Sequence, residues 1–268
     1  MNGLVSKYKY LVLVCFFCFT INNLLAQKLA NKQQTGLHPQ GKIKIDGKAT
    51  EWGSNFQAYN NATEVFYTMA NDDENIYLVI KAVDEIAIRK ILSGGLTFSI
   101  SPTGKKSDGN AAITYPVFNF NNKPDIKFSI KSVPADSIDY LVASNNKKFT
   151  TQSKFIRVAG IKGLDSLVSV YNTDGLTVAS RFDNDMSYTY EVSLSRKLIE
   201  FAINPAGKFY YSVTINPIKM DDIPGVTVKR DASGTIIGID IKKDRLSQNI
   251  GESISSPTDF SAEYTLIK

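Results

Sequence analysis

Cysteine, histidine and tryptophan are scarce in this chain of 268 residues, and the scarcity of the first two excludes classes of function. Both cysteines lie near the N-terminus, at Cys15 and Cys18, and His38 is the only histidine. A zinc site needs several His or Cys ligands, and a Ser–His–Asp triad needs a histidine held inside the fold. No pair of carboxylates stands out as the acid and base of a glycoside hydrolase either. We therefore expect a protein without catalytic residues, and not an enzyme.

The first 26 residues have the order that is typical of a secretory signal peptide. Lys7 and Lys9 precede an apolar run of about ten residues, roughly half of the length that spans a bilayer. We predict cleavage after Ala26, and the alternative is an uncleaved membrane anchor. Cleavage would remove both cysteines and give a secreted or periplasmic protein with no membrane span.

Charge of one sign is not concentrated anywhere in the chain. The predicted signal peptide holds two of the 31 basic residues and none of the 26 acidic ones, so the remainder carries a net charge of +3. Nucleic-acid binding usually needs a concentrated basic face. The sequence therefore gives no reason to expect a nucleic-acid partner.

Short strands dominate the rest of the chain, and helical patterns are few. The residues at 27–41 are polar with Gly and Pro, which predicts a flexible N-terminal lead-in. The predicted helices cover 85–92 and 195–203. The predicted strands cover 63–70, 75–84, 96–101, 113–120, 125–131, 154–160, 176–182, 187–194, 208–216, 235–241 and 262–267. This pattern favours a single all-β domain over 42–268, built as an antiparallel β-sandwich.

A series of short motifs adds a resemblance to a known family. These motifs are "IDG" at 45–47, "EW" at 51–52, "NDDENIYLVIKAVD" at 71–84, "YTYEVSL" at 188–194 and the closing "SPTDFSAEYTLIK" at 256–268. In this order they resemble the family 9 carbohydrate-binding modules and their DOMON-like relatives. The resemblance implies a jelly-roll-type sandwich with one or two short helices. It also implies a non-catalytic protein linked to polysaccharide catabolism, at most an accessory to glycoside hydrolases.

The resemblance also implies where a sugar would bind, and there the sequence departs from the family. Sugar-binding members clamp a terminal sugar between two tryptophans, with two carboxylates and an asparagine on its hydroxyls. The matching positions here are Leu92 and Ile254 for the tryptophans, Gly94 and Thr97 for the carboxylates, and Asn216 for the asparagine. Only Asn216 keeps the family's residue type, so the implied sugar site is degenerate.

Other aromatic residues could replace the missing tryptophans as stacking platforms. The stretch 114–122 places Tyr115, Phe118 and Phe120 beside several asparagines, and these rings either bind a sugar or fill the core. Trp52 is the only tryptophan. It either caps one end of the sandwich, behind a first edge strand formed by Ile43 and Ile45, or contacts the ligand directly.

One acidic turn is a candidate metal site. Asp183 and Asp185 are separated by a single residue, and calcium prefers such oxygen ligands. Relatives in the resembled family often carry structural calcium. We therefore expect no cofactor other than a structural calcium ion at this turn.

Two functions follow from the sequence. The first is a secreted carbohydrate-binding module that takes a polysaccharide or oligosaccharide. The second is an envelope or surface interaction protein that has the same sandwich, no longer binds sugar and recognises an envelope protein instead.

Overall fold

The computed structural model describes residues 29–53, 55–104, 110–118, 123–128, 130, 133–223, 226–241 and 254–268. The predicted signal peptide with its cleavage site at Ala26, and the predicted platform residue Phe120, lie outside these residues. Asn31–Lys268 form one compact unit. This unit includes the segment 31–41, for which the composition predicts a flexible lead-in.

Five strands form the first antiparallel sheet. They are β1 (Ala58–Asn60), β2 (Val65–Asn71), β3 (Asn75–Ala82), β8 (Leu176–Phe182) and β9 (Tyr188–Ser195). Their order in the sheet is β1-β2-β3-β9-β8. The strands β2 and β3, which match the predicted strands at 63–70 and 75–84, form an antiparallel hairpin.

Six strands form the second antiparallel sheet. They are β4 (Leu96–Ser101), β5 (Ala111–Tyr115), β6 (Phe155–Ala159), β7 (Leu167–Ser169), β10 (Lys208–Ile215) and β13 (Thr258–Thr265), in the order β13-β10-β4-β5-β6-β7. Two further strands, β11 (Val226–Arg230) and β12 (Ile236–Ile241), pair only with each other.

The two large sheets pack face to face, as the predicted sandwich requires. Alternate residues of β10 are buried, so that Phe209, Tyr211, Val213 and Ile215 face the core while the residues between them face outward. Across the core, the ring of Tyr67 on β2 lies 4.6 Å from that of Phe260 on β13. The fold is therefore β-sandwich-like, with a core shared by both sheets.

Two α-helices of ten residues or more accompany the sheets in the described part of the chain. The first, α1 (Glu85–Gly94), begins at Asp84, whose carboxylate accepts a hydrogen bond from Ala87 N at 2.8 Å. It ends at Gly95, which has a φ of 85° that a residue with a Cβ rarely adopts. The second, α2 (Ile138–Gln152), spans 15 residues where the sequence predicts no helix. The predicted helix at 195–203 is a 3-10 helix, Arg196–Ala202.

Two predicted strands are wrong. Residues 43–45 are not part of any strand, and neither are the described residues 125–128 and 130 of the segment 125–131. The alternation at Ile43 and Ile45 does bury both side chains partly, but the segment is fixed by side-chain hydrogen bonds instead of sheet pairing. An alternation of apolar and polar residues therefore does not distinguish a strand from a partly buried segment that pairs with no strand.

The segment 31–41 lies against the edge of the first sheet. Gln33 Nε2 donates to Met69 O at 2.8 Å, and Gln33 Oε1 accepts from Met69 N at 2.7 Å. Farther along, Asn71 N donates to Leu37 O at 3.0 Å. The domain therefore begins before residue 42, because β1 pairs only with Val65–Tyr67 and the lead-in bonds to the part of β2 that β1 leaves open.

Candidate functional site

Trp52 lies against the first sheet and is fixed there by a buried carboxylate. Its Nε1 donates to Glu191 Oε1 at 2.9 Å, and its ring meets the ring of Tyr77 edge-on at 6.2 Å. The other carboxylate oxygen of Glu191 accepts from Gly47 N at 2.6 Å and Asp46 N at 3.0 Å. Burial raises the pKa of Glu191, although these three donors act in the opposite direction. The "IDG" and "EW" motifs are thus joined to "YTYEVSL" by one carboxylate.

Tyr115 and Phe118 lie close together in the core, with 3% and 5% of their surface exposed. Both rings contact Phe149 of α2 edge-on, with ring centroids 6.1 and 5.9 Å away. The Tyr115 hydroxyl donates to Ser153 Oγ at 3.0 Å. Neither ring has a free face on which a sugar could stack, because helix α2 covers them. Phe120, the third predicted platform, lies outside the described residues.

The positions matched to the family's sugar clamp converge where β4 begins and β10 ends. Asn216 Nδ2 donates to the carbonyl oxygens of Gly94 and Gly95, at 3.1 and 3.0 Å, and to Thr97 Oγ1 at 2.9 Å. The carbonyl oxygen of Ile254 accepts from Ile218 N at 2.8 Å. Gly94, Thr97 and Asn216 are therefore neighbours, but the Asn216 amide is bonded within the protein and none of the five positions provides an aromatic ring.

Asp183 and Asp185 share the turn between β8 and β9. Asp183 Oδ1 accepts from Asp185 N at 3.0 Å and from Ser187 N at 2.9 Å, while its Oδ2 forms an ion pair with Lys81 Nζ at 2.8 Å. In the described residues, His, Cys, Asp and Glu side chains form no group of three or more that could hold a metal ion. Calcium at this turn stays a prediction, with Asp185 as the exposed carboxylate.

The outer face of the six-stranded sheet carries a polar concavity of about 390 Å³. We call it the outer trough. Its outward-facing side chains come from β4, β10 and β13 and are Ser99, Ser101, Tyr210, Ser212, Ser261 and Glu263. Its lining is completed by Ile100, Thr103, Gly104, Asn110, Tyr211, Asp259 and Ala262. In strand register, Tyr210 lies between Glu263 and Ser101, and Ser212 lies between Ser261 and Ser99.

The charges of the outer trough are held in place by short contacts. Glu263 Oε1 accepts from Lys208 Nζ at 2.7 Å, and the hydrogen bond from Lys208 lowers the pKa of Glu263. The hydrogen bond to Glu263 and the charge of its carboxylate in turn raise the pKa of Lys208. Gly104 lies against the Tyr210 ring, where a Cβ would come within 3.0 Å of ring atom Cδ1. The trough therefore combines the acidic residues Glu263 and Asp259 with the outward-facing ring of Tyr210 and several hydroxyls.

Sequence reasoning missed these residues although a signal for them existed. In "KFYYSVTIN" the aromatic and aliphatic residues Phe209, Tyr211 and Val213 alternate with polar ones. The outward-facing set includes Tyr210 and Ser212, and the paired strands place further serines beside them. Which strands pair cannot be read from a single sequence, so the serines could not be assigned to one surface.

No helix in the described part of the chain is long and apolar enough to cross a membrane. The chain matches none of the known protein-family models, and a search of curated proteins finds no similar sequence.

Proposed function

We propose that this protein is a non-catalytic binding module for a ligand of the carbohydrate class, and that the outer trough is its binding site. One observation carries the proposal: four serine hydroxyls, the Glu263 carboxylate and the Tyr210 ring line one concavity on the six-stranded sheet. Sugar hydroxyls both donate and accept hydrogen bonds, and serine hydroxyls can pair with either role. An aromatic ring suits the apolar face of a sugar ring.

The proposal retains the resemblance to family 9 carbohydrate-binding modules but assigns the ligand to the outer trough and not to the family's clamp positions. Asn216 is engaged within the protein, whereas the outer trough is a concavity on the surface of the described residues. We further propose secretion or periplasmic export, a link to polysaccharide catabolism, and a structural calcium ion at the Asp183 turn, each following from the sequence alone.

Isothermal titration of the protein with xylan, cellulose and chitin oligosaccharides tests the proposal. We expect saturable heat with one sugar class and at least a tenfold weaker affinity, about 1.4 kcal/mol, for Tyr210→Ala, because the substitution removes the ring on which the apolar face of the sugar would stack. Ser212→Phe should also weaken binding by filling the trough. Tyr171→Ala removes an exposed tyrosine that does not line the trough and should leave the affinity unchanged.

Absence of heat with every glycan, in a protein whose unfolding midpoint is normal, would contradict the proposal. Equal loss of affinity in Tyr210→Ala and Tyr171→Ala would contradict the assignment of the site. The first outcome tests the class of the ligand, and the second tests the location of the binding site.

A second candidate function is the surface interaction protein, and the β11–β12 hairpin favours it. Ile236, Ile237 and Ile239 of this hairpin are exposed, with 66% of the surface of Ile237 open to solvent. A two-stranded hairpin is marginally stable by itself. Exposed apolar patches of this kind often mark protein contacts. Ile237→Lys would weaken binding to an envelope protein partner while leaving the outer trough intact.

A further inference from the structure

The ionisable groups with ordinary acidic or basic character that line the outer trough are carboxylates. Asp259 and Glu263 both belong to β13, and the described residues of the lining include no Lys, Arg or His. Asp259, Ser261 and Glu263 occupy alternate positions, so they lie on the same outward face of β13. At about 3.4 Å per residue, the two acidic residues are about 14 Å apart along the strand. The trough therefore offers acceptors for positive charge over more than the width of one sugar ring.

The ring of Tyr210 lies beside Glu263. The two residues are directly paired across β10 and β13, where the Cβ atoms of opposite residues are about 5 Å apart. The pKa of Glu263 is lowered by the hydrogen bond from Lys208 and further by one from Tyr210. Gly104 packs against the same ring. A carboxylate and an aromatic ring that lie side by side both attract an ammonium group.

Lys208 shows that the Glu263 carboxylate accepts an ammonium group at this position. Lys208 Nζ donates to Glu263 Oε1 at 2.7 Å, and the two side chains are 41% and 40% exposed. Lys208 is not one of the residues that line the trough, because it pairs with Thr265, one outward position beyond Glu263. An exposed ion pair of this kind contributes little to stability. The ammonium group of a ligand can therefore share or replace this contact.

The serine hydroxyls of the trough favour a sugar over a simple polyamine. Ser261 lies between the two acidic residues on β13 and pairs with Ser212, which pairs with Ser99. The hydroxyls of these three serines have no hydrogen-bond partner in the described part of the chain. They can donate to and accept from the hydroxyls of a sugar, whereas a polyamine only donates when it is protonated. The lining therefore matches a ligand that carries both amines and hydroxyls.

We infer that the ligand of the outer trough is an amino sugar, a glycan of the glucosamine class, and that Glu263 and the ring of Tyr210 bind its positively charged amine. The inference rests on the proposed function, because it names the class of glycan that the outer trough takes. A charge-assisted hydrogen bond from an amine to a carboxylate is about twice as strong as a neutral one. Both carboxylates would repel an acidic glycan, and a neutral glycan would make no use of their charge.

Titration of the full chain with a glucosamine hexamer and with its N-acetylated form tests the inference. Both probes share the sugar backbone and differ in the charge of the nitrogen groups. In mildly acidic buffer of low salt the free amines are protonated, and the lowered pKa of Glu263 keeps its carboxylate ionised. We expect the free amine to bind at least tenfold more tightly than the acetylated probe. High salt should reduce this preference, because it screens exposed charges. Spermine, a polyamine without hydroxyls, should bind at least tenfold more weakly than the glucosamine hexamer.

Four variants test the assignment of the residues. Glu263→Gln and Asp259→Asn should each reduce the preference for the free amine severalfold and change the affinity for the acetylated probe much less. Lys208→Met removes the internal ammonium group that competes for Glu263 and should increase the preference. Glu200→Gln removes an exposed carboxylate that does not line the outer trough and should keep the full preference.

The outcomes distinguish this inference from the proposed function. Equal affinity for both hexamers, with binding lost in Tyr210→Ala, would overturn the amino sugar and leave the outer trough as the site of a neutral glycan. Equal affinity for spermine and the glucosamine hexamer would overturn the sugar and indicate a site for cations in general. A full preference for the amine in Glu263→Gln would overturn the assignment of Glu263. Failure of every glycan, charged or neutral, to bind would overturn the proposed function, and this inference with it.

Discussion

Glu191 is the residue on which the opening segment of the domain depends. Its side chain is fully buried and accepts three hydrogen bonds from Asp46 N, Gly47 N and Trp52 Nε1. Hydrogen bonds to a carboxylate are stronger than those between neutral groups, and an unpaired buried donor is costly. The lone tryptophan and the "IDG" turn are therefore explained by structure before any ligand is considered.

Glu191→Gln should destabilise the protein by about 2–4 kcal/mol, because the amide nitrogen would face backbone donors that need an acceptor. Urea unfolding followed by tryptophan fluorescence measures this, since Trp52 is the only tryptophan and lies beside the substitution. Glu51→Gln changes an exposed neighbour and should alter stability by less than about 0.5 kcal/mol. Equal effects of the two substitutions would contradict the role of Glu191.

The stability of the protein should also depend on pH through Glu191. Burial raises the pKa of Glu191 in the folded state above its ordinary value of 4.5. Between pH 4.5 and the higher pKa of the folded state, the folded protein binds more protons than the unfolded protein. The free energy of unfolding therefore falls as the pH rises through this range. Relative to Glu191→Gln, the wild-type protein should gain stability on acidification toward pH 4.5. A difference that is constant with pH would contradict this.

Three buried tyrosines differ in whether their hydroxyls have a partner. The Tyr115 hydroxyl bonds to Ser153, whereas those of Tyr188 and Tyr190 have no partner among the described atoms. Tyr115→Phe should therefore destabilise the protein by about 1 kcal/mol. Tyr190→Phe should leave stability unchanged or increase it by up to about 1 kcal/mol. Urea unfolding of both variants makes the comparison, and an equal loss in both would show that the Tyr190 hydroxyl is bonded.

At the scale of elements, strands were predictable and helix α2 was not. Strands such as β4 and β9 alternate or run apolar over their whole length, so their pattern alone locates them. The buried face of α2 is Val142, Asn145, Asn146 and Phe149, with helical spacing but only two apolar members. The two asparagines are buried because they bond to backbone groups of Lys127 and Phe182. A search for apolar periodicity cannot detect such a face.

The β8–β9 turn gives a prediction about calcium. Asp183 holds the turn itself, while Asp185 is exposed and contributes only its backbone N–H to the turn. If calcium binds there, millimolar calcium should raise the melting temperature by several degrees, and Asp185→Asn should remove that rise without changing the calcium-free melting temperature. Differential scanning calorimetry with calcium or a chelator measures both. No rise in the wild-type protein would contradict the calcium proposal.

At the scale of the whole molecule, the sequence predicted the β-sandwich-like fold better than its site. The outer trough collects Ser99, Ser212 and Ser261 from three strands that are far apart in the chain. Their meeting depends on strand order, which no local pattern contains. The sequence favours a core position for Tyr115 and Phe118 over a site, and the contacts of both rings with Phe149 of α2 place them in the core.

The segment that precedes residue 42 stabilises the edge of the first sheet. Residues 31–41 continue the edge of the first sheet beyond β1, since Gln33 bonds to both backbone groups of Met69 and Leu37 bonds to Asn71. A protein that starts at Lys42 would leave these buried groups unpaired, at about 1–3 kcal/mol each. We therefore expect it to be less stable by about 3 kcal/mol or more than a protein that starts at Gln27, as measured by urea unfolding. A protein that starts at Asn31 is the control and should match the longer one. If all three starts gave the same stability, residues 31–41 would be a lead-in without a structural role, as their composition predicts.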